Sequence, residues 1–284
     1  IRKGLTTKVI SVLTEMLEKD RDKYAEFYRE FGAAMKEGAS TDFENKEKLA
    51  GLLLFASSHD KEKTTTLAEY VGRMKEGQKD IYFLSGDSRV TLENSPHTES
   101  LRAKGYEILY LIDAYDEIVL QNIGEFSGKK FKSANKGELD LADEKEKEKD
   151  SEKLKEADKA MGTLLGALKQ ALAEQVKDVK FTTVLVSAPS RVVGDDFDLS
   201  PYLEKILTRN GEKVPPKKKT LEINPDHEIV KKLFAHYDKN PNDPMIADYA
   251  QVLWGHAVIS DGGDVGDVGR FNKALLAVAT NGLE

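Results

Sequence analysis

Apolar residues near the start of the chain recur at helical spacing and predict two helices. The two stripes comprise Val9, Val12, Leu13 and Leu17, then Tyr24, Phe27, Tyr28, Phe31 and Met35. We interpret the aromatic stripe as core packing rather than as a ligand site, because aromatic side chains bury large apolar areas. Residues 46–56 then predict a short helix, and the polar residues 57–65 predict a loop before a helix over 67–74.

Residues 81–123 have the pattern of an α/β unit. The uninterrupted apolar runs at 81–84 and 106–112 are typical of strands that are covered on both faces. Two short helices are predicted between these runs, and Gly105 suits the left-handed position that ends a helix. A connection of this length implies parallel strands, and a further helix over 115–123 is expected to end at Gly124.

The second half of the chain combines helices with a few strands. Helical periodicity returns over 153–174, a strand is predicted over 179–186, and a short extended piece over 191–193. Asp198 or Ser200 can cap a helix that runs through Leu207. Two strongly apolar helices close the chain, and an apolar pair at a chain end often packs against a partner chain.

Residues 143–150 alternate acids and lysines and carry no apolar face, which indicates either a solvated linker or the exposed start of a helix. We expect a domain boundary here, with domains over 1–140 and 153–284 and a charged linker over 141–152. The predicted fold class is α+β: a small three-layer α/β unit with a short parallel sheet, followed by an α+β domain that ends in a helical pair.

Composition excludes several classes of function. The chain has 284 residues, a net charge of −7 and no cysteine, so disulfides and thiolate metal sites are ruled out. Apolar runs are too short to cross a membrane, and no signal peptide is visible, so we expect a cytoplasmic protein without a membrane partner. The negative charge and the lack of stacking aromatics beside residues 217–219 argue against binding to nucleic acid.

Catalytic and metal motifs are not evident. The chain lacks a phosphate-binding loop of the Walker type, a zinc-protease motif and a nucleophile elbow. The five histidines are scattered, and we expect no metal ligand among them. The aspartates within the glycine-rich stretch 261–269 weakly suggest a calcium-binding turn, although a plain loop is the preferred interpretation.

Several sequence motifs within residues 66–126 nevertheless resemble those of a known family. They include Tyr-Val-x-Arg-Met-Lys-Glu-Gly-Gln, Ile-Tyr-Phe-Leu-Ser-Gly, Asn-Ser-Pro-His and Gly-Tyr-Glu-Ile-Leu. In this order they are similar to the middle domain of the ninety-kilodalton heat-shock chaperones, bacterial type. The resemblance runs through the whole chain and implies the later part of the middle domain followed by the carboxy-terminal dimerisation domain.

The resemblance also implies an enzymatic activity for the full-length protein. Members of the family are ATPases that use ATP and Mg, but their nucleotide pocket lies in an amino-terminal domain, and their catalytic arginine segment does not occur in this sequence. We therefore expect this chain to be a non-enzymatic fragment without a cofactor, a metal or catalytic residues. The start at Ile1 without methionine agrees with a fragment. The chain also lacks the acidic ending with which eukaryotic relatives recruit helical-repeat partners.

The resemblance implies two client-binding surfaces and one dimer interface. The client surfaces would comprise Glu117, Ile118 and Gln121, then Leu199, Leu203, Ile206 and Leu207. The homodimer interface would comprise Ile246, Tyr249, Leu253, Trp254, Phe271, Leu275 and Leu276. From the residues alone, packing of the leucine face on its own domain is as good an interpretation as client binding.

Three functions remain open at this stage. The first is a chaperone fragment that binds partly folded clients and dimerises, and the second is a passive dimeric scaffold without client affinity. The third, an enzyme, is disfavoured, although Asp113, Asp116 and Glu117 lie where α/β sheets usually bind ligands.

Overall fold

The computed structural model describes residues 2–215 and 217–282. Its helices are α1 (Arg2–Lys19), α2 (Arg21–Thr41), α3 (Lys46–Ala50), α4 (Leu67–Gly72), α5 (Arg89–Glu93), α6 (Glu99–Ala103), α7 (Ala114–Ile123), α8 (Glu144–Ala171), α9 (Pro201–Arg209), α10 (Glu228–Lys239), α11 (Met245–Ser260) and α12 (Val268–Asn281). Its strands are β1 (Phe55–Ser57), β2 (Asp60–Thr65), β3 (Ile81–Ser85), β4 (Leu109–Leu111), β5 (Glu125–Phe126), β6 (Lys129–Ser133), β7 (Val176–Phe181), β8 (Ser190–Val193) and β9 (Lys219–Ile223).

The chain divides into two compact units. Unit 1 contains the residues up to Arg89 together with Gly105–Ser133, and unit 2 contains Val90–Lys104 together with the residues from Ala134 onward. Most of the segment between β3 and β4 is therefore grouped with unit 2, although both strands belong to unit 1. The predicted domain boundary in a charged linker over 141–152 stays a prediction.

Unit 1 is built on a mixed sheet in the strand order β2-β1-β4-β3-β6-β5. The predicted parallel pair is present, with Phe83 opposite Leu109, and β6 adds a second parallel neighbour to β3. All five residues of β3 are buried, as expected for a central strand. Antiparallel strands extend this parallel centre at both ends, so the sheet is mixed rather than purely parallel. The α+β class is confirmed.

Two local predictions in unit 1 were wrong. Residues 57–65 form a hairpin rather than a loop, because β2 pairs with β1 as an edge strand. The Asp60 carboxylate accepts hydrogen bonds from two backbone N–H groups at the start of β2, while the side chains there stay exposed. The helix predicted over 46–56 ends at Ala50, because Phe55 already pairs in the sheet. Charged edge strands do not show an apolar pattern, which explains the first error.

The core of unit 1 lies where α2 packs against α3 and α7. Tyr24 is fully buried, and its hydroxyl donates a hydrogen bond of 2.6 Å to the carbonyl of Leu52. Met35 is also buried, whereas Phe31 stacks on Phe27 and stays 55% exposed. The aromatic stripe therefore packs mainly into the core, and its outer edge reaches solvent.

Unit 2 packs helices against a three-stranded sheet in the order β7-β9-β8, in which β9 is parallel to β7 and antiparallel to β8. The charged residues 144–150 form the exposed first turns of α8, which Asp143 caps with the help of Glu146. Buried side chains of α8, α10 and α11 join those of the sheet in one core. Among the described residues, no helix is both long and apolar enough to cross a bilayer.

Candidate functional site

The first predicted client surface lies on α7 in unit 1. Asp113 caps this helix by accepting a hydrogen bond from the backbone N–H of Tyr115, and Gly124 ends it with a positive φ of 80°. Gln121 is exposed and Ile118 is half-buried. Glu117 is only 1% exposed, and its carboxylate accepts a hydrogen bond of 2.9 Å from the Ser85 hydroxyl. Its carboxylate therefore supports the helix from inside unit 1.

A buried lysine fixes the start of α7. The Lys36 ammonium from α2 lies 2.7 Å from a carboxylate oxygen of Asp113 and 2.6 Å from one of Asp116. Side chains of Lys36 and Asp116 are 9% and 7% exposed. Burial raises the pKa of Asp116 to about 6, because it outweighs the attraction of Lys36. Burial acts to lower the pKa of Lys36, but the two carboxylates outweigh it and raise that pKa.

The three acidic residues that follow β4 are engaged with other side chains of unit 1. Asp113, Asp116 and Glu117 do lie together after β4, but Lys36 neutralises the first two and Ser85 binds the third. Across residues 2–215 and 217–282, no group of three or more histidine, aspartate or glutamate side chains is arranged to hold a metal ion. The arrangement is a structural ion cluster.

The second predicted client surface lies on α9 in unit 2, apart from Leu199, which precedes the cap of this helix. The Ser200 hydroxyl caps this helix by accepting from the backbone N–H of Leu203, and Pro201 occupies its first turn. Leu203 is buried at 5% exposure. Leu199, Ile206 and Leu207 are half-buried. The leucine face therefore packs on unit 2 through Leu203 and keeps part of its apolar surface at the solvent.

The predicted dimer residues fall into three groups along α11 and α12. Ile246 and Leu253 belong to the core of unit 2. Tyr249, Trp254 and Phe271 are half-buried. Leu275 and Leu276 are 42% and 68% exposed. The helices approach closely at Gly255, where an added Cβ would lie 2.2 Å from the Phe271 ring, so only glycine allows this packing.

The aspartates of the glycine-rich loop have separate structural roles. The carboxylate of Asp261 is 2% exposed and contacts Lys219, Asn135 and His97 at 3.0, 2.9 and 3.1 Å. Asp264 accepts from the N–H of Gly266, and Asp267 caps α12. Burial acts to raise the pKa of Asp261, but the charges of Lys219 and His97 lower it. The side chains thus point to different partners, which favours the interpretation as a plain loop.

Sequence reasoning missed Lys36 and Ser85. Lys36 follows Tyr28 and Gly32 at helical spacing, so a charged residue on an otherwise apolar face was visible in the sequence. Nothing in the sequence indicated that its partners lie 77 and 80 positions away. Ser85 ends a buried strand and gave no local signal of its bond to Glu117.

Comparison with known proteins agrees with this architecture. A family model described as "Hsp90 protein" matches residues 1–284. "Chaperone protein HtpG" of Geobacter sulfurreducens is 42% identical over 276 residues, which are 97% of this chain and 42% of the relative. The proteins of the same description from Nocardia farcinica and Rhodococcus jostii are 43% and 41% identical, again over 97% of this chain and 43% of their own length.

The chain thus spans about two fifths of the length of these curated relatives. The family match covers every element described above, and the relatives are bacterial chaperones. The chain therefore belongs to the bacterial branch of the Hsp90 family.

Proposed function

We propose that this chain supplies the dimer contact and a client-holding surface of a molecular chaperone. The observation that carries the proposal is the position of apolar residues on α12. Phe271 and Ala274 pack on the α11 side, whereas Val268, Leu275 and Leu276 present an exposed apolar face. An exposed apolar face on α12 favours a second copy of the chain, since burying that face releases free energy.

Dimerisation is tested by light scattering over a dilution series. Replacing both Leu275 and Leu276 with glutamate is expected to convert a dimer to a monomer, because charges would be buried in the interface. Lys273→Glu changes the net charge by the same amount on another side of α12 and is expected to leave the dimer intact. A wild-type chain that stays monomeric at every concentration would contradict this part of the proposal.

Client holding is proposed for the half-buried apolar residues of α9. Ile206→Ser combined with Leu207→Ser is expected to weaken holding of an aggregating test protein by roughly thirtyfold, since each of the two lost contacts costs about 1 kcal/mol. Leu203 is left in place because it is buried. The matched control is Thr208→Ser with Arg209→Ser on exposed positions of the same helix. Equal loss in both double variants would contradict a role of the apolar face.

The alternative is a passive dimeric scaffold. It is favoured by the burial of Glu117 and Leu203, which removes two predicted client contacts from the surface. The two functions differ in one measurement: a scaffold dimerises but does not slow aggregation of the test protein.

ATP and Mg binding, and the ATPase activity of the full-length protein, are proposed to lie outside this chain. The purified chain is then expected to show no ATP turnover above that of a buffer control. Measurable hydrolysis that persists through repeated purification would overturn this expectation.

A further inference from the structure

A cavity of about 340 Å³ lies beside α9 within unit 2. Its walls are formed by residues from α9, α11 and β8, from the turn before β7, from residues 217–219 at the start of β9 and from the glycine-rich loop after α11. The lining residues include Pro201, Glu204, Gln175, Trp254 and Val258. The volume falls at the lower end of the range of small-molecule and side-chain pockets.

The lysines that line the cavity are already engaged. Lys217 lies 2.5 Å from the carboxylate of Asp198, and Lys219 lies 3.0 Å from that of Asp261. Lys218 donates a hydrogen bond of 2.7 Å to the backbone carbonyl of Ala173. The positive charges are therefore held at the walls, and none of the three is directed at an incoming anion.

Carboxylates, by contrast, are in excess. Glu204 and Glu174 line the cavity, and neither has a hydrogen-bond or ion-pair partner among the described residues. Burial raises the pKa of Glu204, and the nearby carboxylates of Asp261 and Asp198 raise it further against the opposing effect of Lys219. Lys219 and Lys136 attract the Glu204 carboxylate but form no direct ion pair with it, so a cation that reaches it still gains free energy.

One further lining residue, Trp254, suits a basic side chain. The indole ring itself is a favourable surface for a cation.

We propose that this cavity receives the arginine or lysine side chain of a polypeptide held against α9. This inference rests on the proposed client-holding function and names the class of client: segments in which a basic residue stands next to apolar ones. Glu204 and Leu207 are three positions apart on the helix, so the carboxylate and the apolar contact lie within one turn. A single short segment can therefore reach both.

Peptide binding tests the proposal directly, because Trp254 is the sole tryptophan of the chain and its fluorescence reports on the cavity. The probe is a short acetylated and amidated peptide with a central arginine between leucines, compared with the same peptide carrying citrulline. Citrulline keeps the shape of arginine and removes its charge. The arginine peptide is expected to bind about tenfold more tightly, as befits a charge-assisted hydrogen bond. Lysine and acetyl-lysine peptides form a second pair with the same expectation.

Glu204→Gln is expected to abolish the preference for the charged peptide, whereas Glu212→Gln, on an exposed residue after α9, is expected to keep it. Equal binding of the charged and uncharged peptides, no binding of either, or a preference that survives Glu204→Gln would overturn the proposal. The aggregation assay separates this result from the proposed function. If the chain slows aggregation of the test protein through Ile206 and Leu207 but binds charged and uncharged peptides equally, the cavity proposal alone is refuted. If the chain does not slow aggregation at all, the client-holding function is refuted.

Discussion

Helices α7 and α9 are both short and capped, and both were predicted to contact clients, yet they are attached to their units in different ways. Helix α7 is tied down at its start by the buried cluster of Lys36, Asp113 and Asp116, and again by the bond between Ser85 and Glu117. Helix α9 depends on its Ser200 cap, on Pro201 and on the single buried leucine, Leu203.

The comparison shows what kind of surface each helix can offer. Helix α7 leaves Tyr115, Gln121 and part of Ile118 at the surface. Helix α9 buries only Pro201 and Leu203, keeps Ile206 and Leu207 half-buried, and lies beside a cavity. We therefore regard α9 as the more adaptable of the two proposed client surfaces, because few contacts oppose its local movement. Three substitutions test this difference.

The largest effect is expected from Lys36→Met. The substitution keeps the length of the side chain but leaves the buried carboxylate of Asp116 without a counterion, which costs about 3–5 kcal/mol. Hydrogen exchange should show loss of protection in α2 and α7. Lys23→Met, at an exposed position of α2, is the control and is expected to have little effect. Adding Asp116→Asn to Lys36→Met should restore part of the loss. Undiminished protection in the single variant would mean that the ion cluster does not hold α7.

Leu203→Ala is expected to act next most strongly. It should lower the free energy of opening of α9 by about 3 kcal/mol, since a buried leucine loses its packing. Hydrogen exchange should show faster exchange in α9, while β7 and β9 keep their protection. Leu207→Ala, at a half-buried position of the same helix, should have a clearly smaller effect. Loss of protection throughout unit 2 would show that α9 is as firmly integrated as α7.

The smallest effect is expected from the titration of Asp116. The pKa of Asp116 is raised from 3.8 to about 6 in the folded state. Between pH 3.8 and about 6, Asp116 in folded unit 1 therefore keeps a proton that the unfolded chain has released. The stabilisation is complete below about pH 4 and is lost as the pH rises through about 6. Relative to Asp116→Asn, unit 1 should lose on the order of 2 kcal/mol between pH 4 and 7. The check is denaturant unfolding of both proteins across this range. Parallel pH profiles would contradict the raised pKa.

Signals that act over a few residues could be predicted from the sequence. Thr66 and Glu69 form the capping box at the start of α4, and Gly105 and Gly124 adopt the positive φ that their helix ends require. The apolar runs at β3 and β4 correctly predicted parallel strands. Ser127 and Gly128 form a two-residue hairpin turn, a signal that was present in the sequence but was not used.

The tertiary structure alone decided which polar residues are buried and which apolar residues remain exposed. Strand β2 exists because β1 supplies its backbone partners, and its own side chains carry no strand pattern. Lys36 and Glu117 are buried because carboxylates and a hydroxyl far along the chain meet them, and the cavity beside α9 arises where six segments leave space between them unfilled. Caps and periodicity are local, so the sequence determined most of the helices, the central strands and the family. Burial depends on long-range partners, so only the folded chain decided the ion cluster, the attachment of α9 and its cavity.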